Sequence, residues 1–260
     1  MNRTIFQQTM KANLKLWLIF TIILVVFNVI MIAVFEPNAI SGVTDMVKGT
    51  PLENLLQNTS FLGMLAQTFF SLHGIILPLV FIIMTANSLV AAQVDRGSMA
   101  YLLSTPTKRT TVVGTQAIYL LLAVTTMFIL VTLSGVLAIK LFQGDATIEM
   151  DKFILLNVGL YLLMFATSGI SFLFSCIFNL SKHSLAFGAG IPLAFFLCQL
   201  MGQVSESLDF MKYFSMNTLF NTSNIINGES VILSFSLLVS IGIILYMIGI
   251  RIFAKKDLPL

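Results

Sequence analysis

Apolar residues in this chain come in long unbroken blocks. They do not follow the 3.6-residue stripe of a surface helix or the alternation of a half-buried strand. The first block covers residues 16–35, LWLIFTIILVVFNVIMIAVF, and holds no charge. Glu36-Pro37 stops it, because the residue before a proline is pushed out of the helical region. Further blocks lie within 61–92 (its apolar core 64–92) and at 111–139, 153–178, 185–204 and 231–253. A helix needs about 20 apolar residues to cross the hydrocarbon core, so the pattern predicts six spans. Backbone groups in lipid must bond internally, which makes each span helical. The blocks are too long and too continuous for the strands of a β-barrel. The expected fold is all-α, a single polytopic membrane domain over residues 1–260.

Composition narrows the class. Of 260 residues, 57% are hydrophobic and 10% charged, with a mean hydropathy of +0.97. Soluble domains carry about 25% charged residues, so disorder and nearly all soluble enzymes are excluded. The net charge of +3 becomes informative once partitioned. With both termini in the cytoplasm, inner segments hold ten basic and two acidic residues, a net +8. Outer loops hold four basic and nine acidic residues, a net −5. The positive-inside rule selects this orientation. Arg3, Lys11 and Lys15 precede the first span, but its apolar run is too long for a signal-peptide core and no A-x-A site follows.

Recognisable chemistry is scarce. There is no G-x-x-x-x-G-K-[ST] phosphate loop, H-E-x-x-H or G-x-S-x-G. No cofactor is expected in the chain and no nucleic-acid partner. Cys176 and Cys198 sit within spans without a C-x-x-C or a His cluster, and read as small buried hydrophobes. Scarce intramembrane charge argues against an ion-coupled carrier acting alone. His73 is the one ionisable residue deep in a span. It lies either on a substrate path between the spans or, as a neutral ring, bonded to a neighbouring helix. Pro78 and Pro192 are expected to kink their helices.

The polar segments carry more. Phe6, Met10, Leu14 and Trp17 fall at near-helical spacing among Arg3, Lys11 and Lys15, the pattern of a basic interfacial helix over residues 1–15. Residues 93–110 read QVDRGSMAYLLSTPTKRT. Met99, Leu102 and Leu103 form the stripe of a short amphipathic helix, which Pro106 ends. The outer segment 205–230 is polar yet rich in aromatics. Ala186, Gly190 and Ala194 place small residues at every fourth position of the fifth span, a stripe that permits close helix approach either within the chain or across an interface.

Val94-Asp95-Arg96-Gly97, then Leu102-Leu103-Ser104-Thr105-Pro106, then Lys108-Arg109 resemble the acidic–Gly…Leu-Leu…Pro…Arg signature of ABC-2-type transporter permeases. Gln93 and Gln116 depart from it, standing where an acid and a Lys are common. The end of the chain, a basic pair followed by Asp-Leu-Pro-Leu, is similar to that of many bacterial permeases of the group. The resemblance implies an elbow helix at 1–15, a coupling helix in 93–110 that docks on a separate ATPase, and short outer helices before the last span. Asp95, Arg96, Gly97, Met99, Leu102, Leu103, Pro106 and Arg109 become the ATPase-coupling candidates. It implies two permeases, identical or paralogous, working with two ATPase subunits that bind ATP and Mg²⁺. Ala186, Gly190 and Ala194 would then meet the first span of the second permease.

The resulting expectation is an exporter subunit of the bacterial plasma membrane, in contact with lipid and driven by its ATPase. The uncharged spans and fourteen Met suit amphipathic or hydrophobic cargo. Similar small bacterial permeases commonly export antimicrobial or cytolytic peptides. Lipids or polymers, drugs and sodium are the alternative cargoes, and a stand-alone secondary carrier is the rival mechanism.

Overall fold

A computed structural model of the chain describes residues 2–35, 60–104, 107–144, 148–204, 210 and 214–257. Among these there is no strand, and six helical stretches are long and apolar enough to cross a membrane. The first is α1, Arg3–Val34. The second is composite: α2 (Phe61–Leu65), a π-helical segment (Ala66–His73), α3 (Gly74–Leu89) and α4 (Ala91–Asp95). A short α5, Ser98–Leu103, follows. Then come α6 (Arg109–Phe142), α7 (Met150–Ile177) and α8 (Ser181–Val204). Before the last span stand a 3₁₀ turn at Met216–Leu219 and the short α9, Thr222–Ile226. The last span is α10, Ile232–Lys255.

The stretch expected as a separate elbow is instead the first turns of α1. Asn2 caps the helix through Oδ1, which accepts from the backbone N–H groups of Thr4 and Ile5. No Gly or Pro lies between Arg3 and Val34 to break it. Its 32 residues span about 48 Å at 1.5 Å per residue, well beyond a hydrocarbon core of about 30 Å. Phe6 and Trp17, expected at a lipid interface, face protein. Phe6 sits edge-on to Tyr119 with centroids 6.1 Å apart. Trp17 Nε1 donates to the Ala123 carbonyl at 2.9 Å.

Two parallel helix pairs organise the bundle. α1 and α6 run side by side in one direction, joined by side chains that bond the partner. Thr9 Oγ1 donates to Gln116 Oε1 at 3.0 Å, Asn28 Nδ2 to the Val131 carbonyl at 3.0 Å, and Gln143 Nε2 to the Ile32 carbonyl at 2.7 Å. Lipid tails are as apolar as Leu, so such bonds and close packing must supply the association. α7 and α10 form the second pair, through glycine. A Cβ on Gly242 would meet Phe165 Cε1 at 2.2 Å, and one on Gly159 would meet Phe235 Cζ at 2.8 Å.

α7 is the hub of the fold. Three buried serines on it each reach a different helix. Ser168 Oγ and Tyr246 Oη lie 2.8 Å apart, tying α7 to α10. Ser171 Oγ donates to the Gly188 carbonyl of α8 at 2.7 Å. Pro192 lies inside α8 and has no N–H to give that carbonyl, so the serine takes the place of the lost helix bond. Ser175 Oγ accepts from the Ala91 N–H at 3.0 Å. There the helix breaks at Val90 (φ −130°, ψ −70°) and frees a donor. The fault in α8 and the break in the second span are thus both satisfied by α7, which fixes these three helices relative to one another.

Candidate functional site

Asn2, the end of α10 and residues 93–104 and 107–109 gather at one end of the bundle, the basic end. Asn2 N donates to Thr115 Oγ1 at 3.1 Å, and Arg109 Nη1 to the Lys256 carbonyl at 2.8 Å. After the break at Val90 the chain makes the short α4 and turns at Gly97, whose φ of +72° is left-handed. Nothing lies within 4 Å of where a Cβ would be, so the glycine is needed for its conformation and not for space.

Asp95 anchors this turn. Its Oδ2 accepts from the Ser181 N–H at 3.1 Å, at the first residue of α8. A carboxylate there satisfies an open helix donor and complements the helix dipole. Asn87 Nδ2 also donates to Ser181 Oγ, at 2.7 Å. The segment leading into α5 is therefore fastened to the start of the fifth span. Its exit is fastened as well: Arg109 holds the Lys256 carbonyl, and Lys256 Nζ donates to the Cys176 carbonyl at 3.2 Å. Burial pulls the Lys256 ammonium below the ordinary lysine pKa, partly opposed by Cys176.

The sequence-predicted residues separate by environment. Arg96 and Gly97 are exposed, as is Asp95 despite its bond to Ser181. Met99 is not a surface residue: it is 0% exposed and belongs to the apolar core. Leu102 is half-buried and packs against the same core. Met99 and Leu102 of the apolar stripe of α5 therefore pack on the protein's own bundle. The Leu103 side chain and Pro106 lie outside the described residues. Arg109 is half-buried and turned to the C-terminal segment. The residue that projects from α5 is Tyr101, 81% exposed. Sequence reasoning missed it because it lies off the apolar stripe; the signal available was a large aromatic on the polar face.

His73 is half-buried at the junction between the π-helical segment and α3. Its ring stacks on Phe27 of α1, centroids 4.7 Å apart, and Nδ1 lies 3.0 Å from the Thr68 carbonyl of its own segment. The bond is thus within the same span and the contact across helices is aromatic. At the end opposite the basic one, a cavity of about 190 Å³ opens between the π-helical segment, α8 and residues 217–223. Hydroxyls and amides line it, among them Ser71, Gln199, Asn217 and Asn221, with no charged residue among the described residues. Ala186, Gly190 and Ala194 are all exposed on α8, and no atom lies within 4 Å of a Cβ built on Gly190.

This arrangement defines a helical membrane protein whose folded features outside the spans are short, with a fastened helix–turn–helix at its basic end. A family model described as "ABC-2 family transporter protein" matches residues 6–258, nearly the whole chain. The chain belongs to that family, whose members supply the membrane subunit and not the ATPase. No curated protein and no solved structure matches it.

Proposed function

We propose that the chain carries cargo outward across the plasma membrane as one of two permeases, with both termini in the cytoplasm. Two ATPase subunits dock on the surface formed by Asp95, Arg96, Gly97 and Tyr101. The observation that carries this reading is the double fastening of residues 93–109. Asp95 ties the entry to α8, and Arg109 ties the exit to the end of α10. A push on Tyr101 is thereby delivered to the fifth and sixth spans instead of being lost in a slack loop. Only a partner that binds one arrangement of the spans better than another can drive the change.

Amphipathic peptide is the cargo this reading favours. The spans hold almost no charge, and the cavity at the far end offers neutral hydroxyls and amides. Such a path accepts backbone amides and apolar side chains at lower desolvation cost than a bare ion. The exposed stripe of Ala186, Gly190 and Ala194 is the face on which a second permease is proposed to pack.

The test is reconstitution in vesicles with the cognate ATPase. Amphipathic peptides are expected to stimulate ATP hydrolysis, and sodium is not. Transport in vesicles that lack any ATPase contradicts the mechanism. Failure of every peptide, with stimulation by a lipid or a drug, contradicts the cargo assignment alone.

A further inference from the structure

A second cavity, of about 470 Å³, lies at the basic end between α1, the α4–α5 turn and the start of α6. Its size is in the range of small-molecule sites. Its level in the membrane follows from α1. Gln8, Thr9 and Asn13 line it, and the charge-free apolar run begins at residue 16. At 1.5 Å per residue these side chains start about 4 to 12 Å outside the hydrocarbon edge, which is the headgroup layer.

Several lining groups are already committed. Asn13 donates to the Thr9 carbonyl and accepts from Ser88 Oγ, and Ser98 Oγ is bonded to the Gln93 carbonyl. The Gln116 oxygen is taken by Thr9, so its remaining capacity is the NH₂, a donor. The Arg96 guanidinium makes no hydrogen bond or ion pair with a described residue. No acid lines the cavity, since Asp95 is turned to Ser181. The free capacity is thus one fixed positive charge and neutral donors.

We propose that this cavity binds the phosphate-bearing headgroup of an anionic phospholipid, with Arg96 on the phosphate. A guanidinium presents a planar fork matched to phosphate oxygens. The phosphate available at this depth is that of the membrane itself. Arg96 also belongs to the proposed docking surface, but lipid binding is tested on the chain without its ATPase, so its outcome is read separately from that of the coupling reading.

Native mass spectrometry of the full chain in detergent tests it, titrating phosphatidylglycerol, phosphatidylcholine and inorganic phosphate. Phosphatidylglycerol is expected to bind in preference to phosphatidylcholine. Arg96→Gln should weaken it about tenfold, the scale of losing one charge-assisted bond, and Arg96→Lys by less. Arg251→Gln, which removes an exposed cation at the end of α10, should leave it unchanged. Thermal melting checks that each variant is folded. Equal affinity of wild type and Arg96→Gln overturns the proposal, as does an equal loss in Arg251→Gln, which would mark diffuse surface attraction. Displacement of the lipid by equimolar inorganic phosphate overturns the assignment to lipid.

Discussion

α7 and α8 have nearly the same mean hydropathy and both carry small residues and serines, yet they live in different surroundings. Of the most apolar stretch of α7, 67% is buried against protein; of α8, 22%. The small residues of α7 face partners: a Cβ on Gly169 would lie 3.0 Å from Leu245 Cβ. Those of α8 at 186, 190 and 194 face outward. The same composition therefore serves closure of the bundle in one helix and an open surface in the other. Hydropathy reports transfer into an apolar phase, and lipid and protein interior are equally apolar.

Substitutions that treat the two helices alike should break the comparison. The largest effect is expected where α7 meets α10. Gly242→Val forces a side chain into Phe165, which already lies 2.2 Å from a built Cβ. A loss of about 3 kcal/mol should appear as aggregated protein on detergent extraction. Ser171→Ala comes next. It strips the Gly188 carbonyl of its donor and should cost about 1 kcal/mol, read as a lower midpoint in thermal unfolding. Adding Pro192→Ala should recover much of that loss, because the restored N–H can bond the Gly188 carbonyl. Gly190→Leu should change chain stability by less than about 0.5 kcal/mol, since nothing occupies the space beside it. Its measurable effect should be on association: a chain that purifies as a dimer should shift towards monomer.

Six spans were legible in the sequence because lipid leaves the backbone no alternative to the helix. Their surroundings were not, for the reason α7 and α8 illustrate. At residues 6–17 near-helical apolar spacing fits equally a helix on a membrane surface and one packed on α6, so the continuity of α1 through this stretch was not readable from the pattern. Only the absence of Gly and Pro hinted at continuity. At the basic end, Gly97 was readable, since a left-handed turn needs glycine. The stripe of Met99 and Leu102 was correctly read as apolar, but a stripe does not name its partner. The bonds from Asp95 to Ser181 and from Arg109 to Lys256 join residues 86 and 147 positions apart, beyond any local pattern.

The central claim is that residues 95–101 deliver the ATPase's movement to the spans. A chain carrying the photocrosslinking residue p-benzoylphenylalanine in place of Tyr101, expressed with its ATPase, tests this by photocrosslinking in membranes. The account predicts a permease–ATPase product through position 101, which ATP binding changes in yield. The same photocrosslinking residue at Leu141, exposed at the opposite end, should give none. Absence of a product at position 101 while the two subunits still co-purify would contradict the account.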